Sequence, residues 1–170
     1  AEIAGNAGFS VERVHYRMGN SFQQLAQSEI EKGVLLEAKP LLIKAVAHYD
    51  TILFEKASLF EWDARFNRAY ALQSMTDKNS LSKSEEEYSY IVSNADPTYV
   101  ERALMQLAEL NYNRGNYERS DFLAKKVIDG YPGGSSINDA FMRRALALQE
   151  LSRNKEAVDE FLKVDIDSPH

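Results

Sequence analysis

Cysteine is absent from all 170 residues, which excludes disulfides, thiol nucleophiles and zinc–cysteine sites and is compatible with a reducing or an oxidising compartment. Histidine is scarce. His15, His48 and His170 are too far apart in sequence to form an HExxH or His-x-x-x-His pair on one helix, so no metal or other cofactor is expected. The GxSxG elbow, the P-loop and the GxGxxG fingerprint are all missing. Gly130, Gly133 and Gly134 cluster without the following Lys or preceding strand of a phosphate cradle, which predicts a helix end and a turn. No apolar run approaches the roughly 18 residues that span a bilayer, so no direct membrane insertion is expected. The opening AEIAGNAGFS lacks the basic start and apolar stretch of an intact signal peptide, as would a mature exported chain or a fragment cut from an anchor. An excess of basic charge is missing too. Twenty Lys and Arg against 26 Asp and Glu leave a net charge of -6, which argues against nucleic acid and anionic membranes as partners. Carboxylates abound, yet nothing localises a pair in a cleft that would shift their pKa values, so the chain is not expected to be an enzyme.

What is present is helical periodicity. With 44% hydrophobic residues the chain is long enough for a continuous core. Residues 1–9 carry Gly5 and Gly8 and no pattern, and are expected to be a flexible lead, with Ser10 as a helix cap. Val14, Met18, Phe22, Leu25, Ala26 and Ile30 then recur at helical spacing. After Gly33 the apolar stretch VLLEAKP leads to a second helix from Leu41 to Ala57, with Pro40 in its first turn; the extra residues imply either longer helices in this first hairpin or an inserted apolar loop. A third helix follows over Ala64, Phe66, Ala69 and Leu72, with Trp62 near its start as a packing residue. A fourth carries Tyr88, Ile91 and Val92 behind a Ser82–Glu85 capping box, with Glu85, Glu86 and Glu87 in its first turn. Asp96-Pro97 opens a fifth helix over Leu104, Leu107, Ala108 and Leu110, and Arg114-Gly115-Asn116 turns it into a sixth over Phe122, Leu123 and Val127. Phe141, Ala145, Leu148 and Leu151, then Ala157, Phe161, Leu162 and Val164 with Pro169, predict a last pair. The expectation is an all-α chain of about eight helices in four hairpins, approximately 10–59, 61–96, 97–132 and 135–169, forming one domain over 10–169.

The stretch from Glu101 to Pro132 resembles a tetratricopeptide repeat (TPR): Leu107 and Ala108 stand at its Leu-Gly pair, Gly115 and Tyr117 at its turn, Ser120 and Val127 at its two alanines, and Pro132 at its close. Tyr16-Arg17-Met18-Gly19-Asn20 is similar to the first-helix core of such a repeat, with Gly19 as the small contact residue. The resemblance implies a right-handed α-solenoid whose first helices line a concave groove. The groove residues it implies are Arg13, Tyr16, Arg17, Asn20 and Gln24, then Asp63, Phe66, Asn67, Tyr70 and Gln73. Further along they are Arg102, Met105, Gln106, Glu109, Tyr112 and Asn113, and finally Asp139, Met142, Arg143 and Glu150. Amides that bond a backbone, rings that cover apolar side chains and Arg that meets carboxylates suit a protein partner offering an extended peptide or a helix. Asn20, Asn67 and Arg102 fall on three positions of the TPR carboxylate grip, but Tyr16 and Gln106 replace two of its basic residues.

YRMGNSF, AVAHYDTIL and WDARFNRAYAL are similar to MxaK-like accessory TPR proteins encoded beside MoxR-type ATPases, and the YPGGS loop looks like those of bacterial envelope assembly proteins. This implies a periplasmic or membrane-associated setting, with the cytoplasm left open. It also implies a non-catalytic adaptor or scaffold that assists assembly or maturation of an envelope complex or metalloenzyme. The alternative is a structural repeat that self-associates into homo-oligomers, its groove or its uncapped last face filled by another copy.

Overall fold

A computed structural model of the chain describes residues 2–55 and 58–164, with side chains from residue 11 onward. Ala57, Pro169 and His170 lie outside the described residues. Among the described residues the chain is all-α: α1 (Glu2–Glu31), α2 (Leu35–Phe54), α3 (Glu61–Ser74), α4 (Lys78–Asn94), α5 (Pro97–Asn113), α6 (Tyr117–Gly130), α7 (Ile137–Glu150) and α8 (Asn154–Phe161). The chain divides into two compact units, residues 1–87 and 88–170, with the boundary inside α4.

Sharp turns join α1 to α2, α3 to α4, α5 to α6 and α7 to α8, and each contains one residue with positive φ: Gly33 (79°), Thr76 (61°), Gly115 (77°) and Ser152 (59°). In three of them the following amide reaches back to the carbonyl five residues earlier, Val34 to Glu29, Asn116 to Asn111 and Arg153 to Leu148. That bond satisfies one of the carbonyls a helix end leaves open. Glycine adopts the left-handed conformation without a Cβ penalty, whereas the β-branched Thr76 carries strain there. Space is not what selects Gly115, since a Cβ there would meet nothing within 4 Å.

In the first unit, Ala38, Leu42, Ala45, Tyr49 and Ile52 recur at three- and four-residue steps along α2 and are all buried. Ala26, Ala38, Leu42 and Ala71 form one core cluster, and Ala45, Tyr49, Ile52 and Ala64 another, flanked by Tyr16, Phe22, Leu53 and Phe60. A fully buried leucine or isoleucine contributes roughly 1.5–3 kcal/mol. The alanines contribute proximity, because they let the helix backbones approach.

Several expectations change here. Residues 2–9 of the stretch read as a flexible lead belong to α1, which begins at Glu2; Ser10 therefore lies within the helix and does not cap it. Once a helix is nucleated, adding residues costs only propagation, and two glycines reduce that without stopping it. Of the two forms open to the first hairpin, it takes the longer helix: α2 starts at Leu35, ahead of the expected Leu41, and holds Pro40 inside it. The carbonyl that Pro40 cannot bond belongs to Leu36, which is 88% exposed, so water can take that bond. Along α1 the predicted apolar face holds in part. Ala26 is buried, Phe22 and Ile30 pack against the two clusters, and Gly19 is buried as the small contact residue, while Val14 (51%), Met18 (41%) and Leu25 (55%) are exposed.

Helix α4 begins four residues before the Ser82 capping box. Asp77 starts it, accepting from the Ser80 backbone N–H at 3.1 Å and the Ser80 hydroxyl at 3.0 Å, with Lys39 of α2 at 3.2 Å. These bonds, the backbone one foremost, hold the Asp77 carboxyl at a pKa of about 2. Glu87 consequently lies beyond the first turn, where it bridges Arg65 (3.3 Å) and Arg68 (3.1 Å) of α3.

In the second unit, Pro97 occupies the first turn of α5 after Asp96, which makes no side-chain cap. Leu104, Leu107, Ala108, Leu110, Leu123 and Val127 are buried as the periodicity predicts. Ser120 of α6 donates to the carbonyl of Ala108 at 2.9 Å, a bond that only a small residue pair at the crossing permits. Phe122 and Leu162 depart from the prediction: both are exposed, and Arg119 and Lys126 lie over the Phe122 ring at 5.3 and 4.9 Å. A charge of α6 and α7 closes the other side: Arg144 bonds Asp121 (2.9 Å) and Glu160 of α8 (2.7 Å).

Candidate functional site

The first unit gathers four of the predicted groove residues, Asn20, Gln24, Asn67 and Tyr70, around one polar hollow. Asn20, Gln23, Gln24 and Gln27 of α1 and Asn67 and Tyr70 of α3 line a space of about 280 Å³. Residues 20, 23, 24 and 27 lie on one side of α1 because they are three and four apart. Gly19, beside them, explains how α2 supports this wall. It is buried, and a Cβ there would stand 2.6 Å from Cε1 of Tyr49, so the Tyr49 ring lies directly on the α1 backbone.

Tyr49 is 0% exposed, and its hydroxyl reaches through to the hollow's wall. It donates to Asn20 Oδ1 at 2.8 Å and lies 2.7 Å from the Gln23 amide. A hydroxyl has one proton to give. With that proton on Asn20, the Gln23 amide satisfies both groups by presenting its NH2 to the tyrosine oxygen. Burial raises the Tyr49 pKa, so the hydroxyl stays neutral and keeps its proton. Asn67 Nδ2 donates to Asn20 Oδ1 at 3.1 Å and to the Tyr16 hydroxyl at 3.5 Å, and the Tyr16 ring stacks on Phe60 at 5.1 Å. Three helices therefore hold one amide and tyrosine network.

The remaining predicted residues of this unit divide by exposure. Arg13 and Arg17 are exposed and Asp63 is half-buried. Phe66 is 7% exposed, so its ring belongs to the interior and offers no groove surface; Gln73 has its Oε1 buried without a hydrogen-bond partner among the described residues. A second, apolar hollow of about 460 Å³ lies elsewhere in the unit, lined by Leu35, Leu36, Pro40 and Ile43 of α2 with Met75 and Thr76. It is where the apolar insert of the sequence is found.

In the second unit, Glu109, Tyr112, Asn113 and Arg143 come together. Glu109 of α5 pairs with Arg143 of α7, the Arg143 guanidinium sits 4.4 Å over the Tyr112 ring, and Asn113 donates to Glu109 at 3.2 Å. Burial and then Glu150 raise the Tyr112 pKa. Arg102 and Gln106 are half-buried on the same helix, while Met105 is buried. This face is a charge clasp closed on itself, unlike the amide hollow.

The contact that sequence spacing missed is between two histidines. His15 of α1 and His48 of α2 are 33 positions apart, yet their Nδ1 atoms are 2.9 Å apart. Phe22 stacks on the His48 ring at 5.6 Å, and Lys44 lies 5.4 Å from the Phe22 centroid. Burial, then His15, lowers the His48 pKa. No group of three or more metal-ligating side chains occurs among the described residues, and no helix of the described residues is long and apolar enough to cross a membrane. Compared with known proteins, the chain matches no family model and no curated sequence.

Proposed function

We propose that this chain is a non-catalytic adaptor of the TPR type that docks an extended segment of a protein partner on the amide and tyrosine wall of its first unit. The observation that carries this reading is the hollow lined by Asn20, Gln23, Gln24, Gln27, Asn67 and Tyr70. Its lining is amide and phenol, with no carboxylate, imidazole or ammonium group. Asn and Gln each offer donors and an acceptor, the complement of a peptide backbone, and tyrosine adds apolar area with a polar tip. At about 280 Å³ the hollow is smaller than the ~300–1,000 Å³ that engulfs a small molecule. It suits a backbone gripped at intervals.

Panning a random-peptide display library against the full chain tests this. Enriched peptides are expected to lose about tenfold in affinity, or 1.4 kcal/mol, toward a Gln24→Ala/Tyr70→Ala variant whose helicity is unchanged. A library with no enriched clone, or clones that bind the variant equally well, would remove the site.

A second reading rests on a different surface. Val11, Val14, Met18 and Leu25 of α1 are all exposed and follow the three- and four-residue spacing of a helix-pairing seam. Self-association through that stripe predicts a sedimentation coefficient that rises with concentration and a Val14→Glu/Leu25→Glu variant that stays monomeric; a wild-type chain that is monomeric at every concentration excludes it.

A further inference from the structure

We infer that the His15–His48 pair is an acid-sensitive latch that loosens the amide wall of the first unit. The inference rests on the proposed role of that wall and assigns its regulation.

At 2.9 Å the two Nδ1 atoms share one proton. One ring donates its Nδ1–H and the other accepts with its own proton on Nε2, an arrangement open to a neutral pair or to one carrying a single charge. Two imidazolium rings would both present N–H groups at that point, so double protonation requires α1 and α2 to part here. On the His48 side nothing offsets the second charge. Glu12 precedes His15 by one turn on α1. On α2, Lys44 precedes His48 by one turn and lies over the Phe22 ring that stacks on it, adding a cation on that side. Asp50, two residues past His48, is drawn to Arg68 of α3 at 2.6 Å. Burial foremost, and then the charge of His15, oppose protonation of His48.

The latch adjoins the groove through the backbone. Gly19 lies one turn beyond His15, and Tyr49 follows His48. Their contact leaves no slack, and Tyr49 holds Asn20 and Gln23. A separation of the helices at the histidines therefore reaches the wall within one turn.

The direction of the pH effect follows from the lowered His48 pKa. The unfolded chain takes up the proton first as pH falls, so the stability is complete above the ordinary value of 6.5. It drains as pH falls below 6.5 through the folded value.

The test is an NMR titration of the full chain without ligand, following the histidine ring protons together with the side-chain NH2 signals of Asn20, Gln23 and Asn67, alongside melting temperatures from pH 7 to pH 5. The latch predicts a His48 midpoint below 6.5, amide signals that shift with it, and a fall in melting temperature of roughly 5 °C that His15→Gln and His48→Gln each abolish. A His48 midpoint at or above 6.5 would overturn it, and so would amide signals that stay fixed while the histidines titrate. The titration itself needs no variant to fold. Peptide binding measured at pH 7 alone addresses the groove: a working latch with no peptide binding sinks the adaptor reading, and pH-independent peptide binding sinks the latch.

Discussion

Replacing Gly19 by valine is expected to destabilise the first unit by about 3 kcal/mol, near the upper end for overpacked cores. A Cβ at this position would stand 2.6 Å from Cε1 and 2.9 Å from Cζ of Tyr49, well inside van der Waals contact, and valine adds two methyl groups beyond it. The tyrosine cannot swing clear: it is fully buried in a cluster with Ala45, Ile52 and Ala64, and moving it breaks the bonds to Asn20 and Gln23. A buried polar group left unpaired costs about 1–3 kcal/mol by itself. Urea unfolding of the full chain measures the effect. Because the chain divides into two units, the loss is expected in the transition of residues 1–87 and not in that of residues 88–170. Combining Gly19→Ala with Tyr49→Leu should recover part of the loss of either change alone, since the smaller side chain frees the space. A Gly19→Val chain with an unchanged midpoint would show that α1 and α2 do not cross at this glycine.

Arg144→Ala should have an effect of similar size in the second unit, about 3 kcal/mol. The guanidinium joins three helices, bonding Asp121 of α6 at 2.9 Å and Glu160 of α8 at 2.7 Å. The Glu160 side chain is 7% exposed, and its Oε2 has no hydrogen-bond partner among the described residues. Removing Arg144 leaves that carboxylate with Lys163 at 2.9 Å and Asp121 with Arg153 at 3.1 Å, both more exposed cations. These keep the loss below the roughly 5 kcal/mol of a stranded buried charge. An Arg144→Met/Glu160→Leu double variant is expected to return most of the stability, because apolar side chains of similar volume avoid the desolvation cost that the ion pair must overcome. If Arg144→Ala unfolds at the wild-type urea concentration, the contacts among α6, α7 and α8 rest on Ala140, Ala145, Leu148 and Ala157 alone.

The predicted groove was legible in part, and the reasons differ residue by residue. Asn20, Gln24, Asn67 and Tyr70 share a wall because helical spacing fixes which residues lie on one side of α1 and α3. Glu109, Tyr112 and Arg143 were placed on a common face for the same reason, but pairing of opposite charges closes them on each other. Phe66 is the counterexample: its spacing suits the groove, yet burial of a large ring outweighs a polar neighbourhood. Gln23 and Gln27 were overlooked, although their three-residue steps from Asn20 and Gln24 carried the signal.

Local physics determined the eight helices and their turns, since apolar residues three and four apart, Pro97, and glycines at positions 33 and 115 act within a few residues of themselves. The start of α4 was equally local, written in Asp77 and Ser80 four residues ahead of the more conspicuous Ser82 and Glu85. The phase of α1 was legible in part. Gly19, Phe22, Ala26 and Ile30 meet the core as their spacing implied, whereas Val14, Met18 and Leu25 are exposed, because close approach of two backbones selects the residue with no side chain over those with larger ones. The pairing of His15 with His48 likewise arises where α1 and α2 cross, and a separation of 33 positions carries no trace of it, since sequence spacing orders side chains along one helix and only packing sets which turn of the next helix stands opposite.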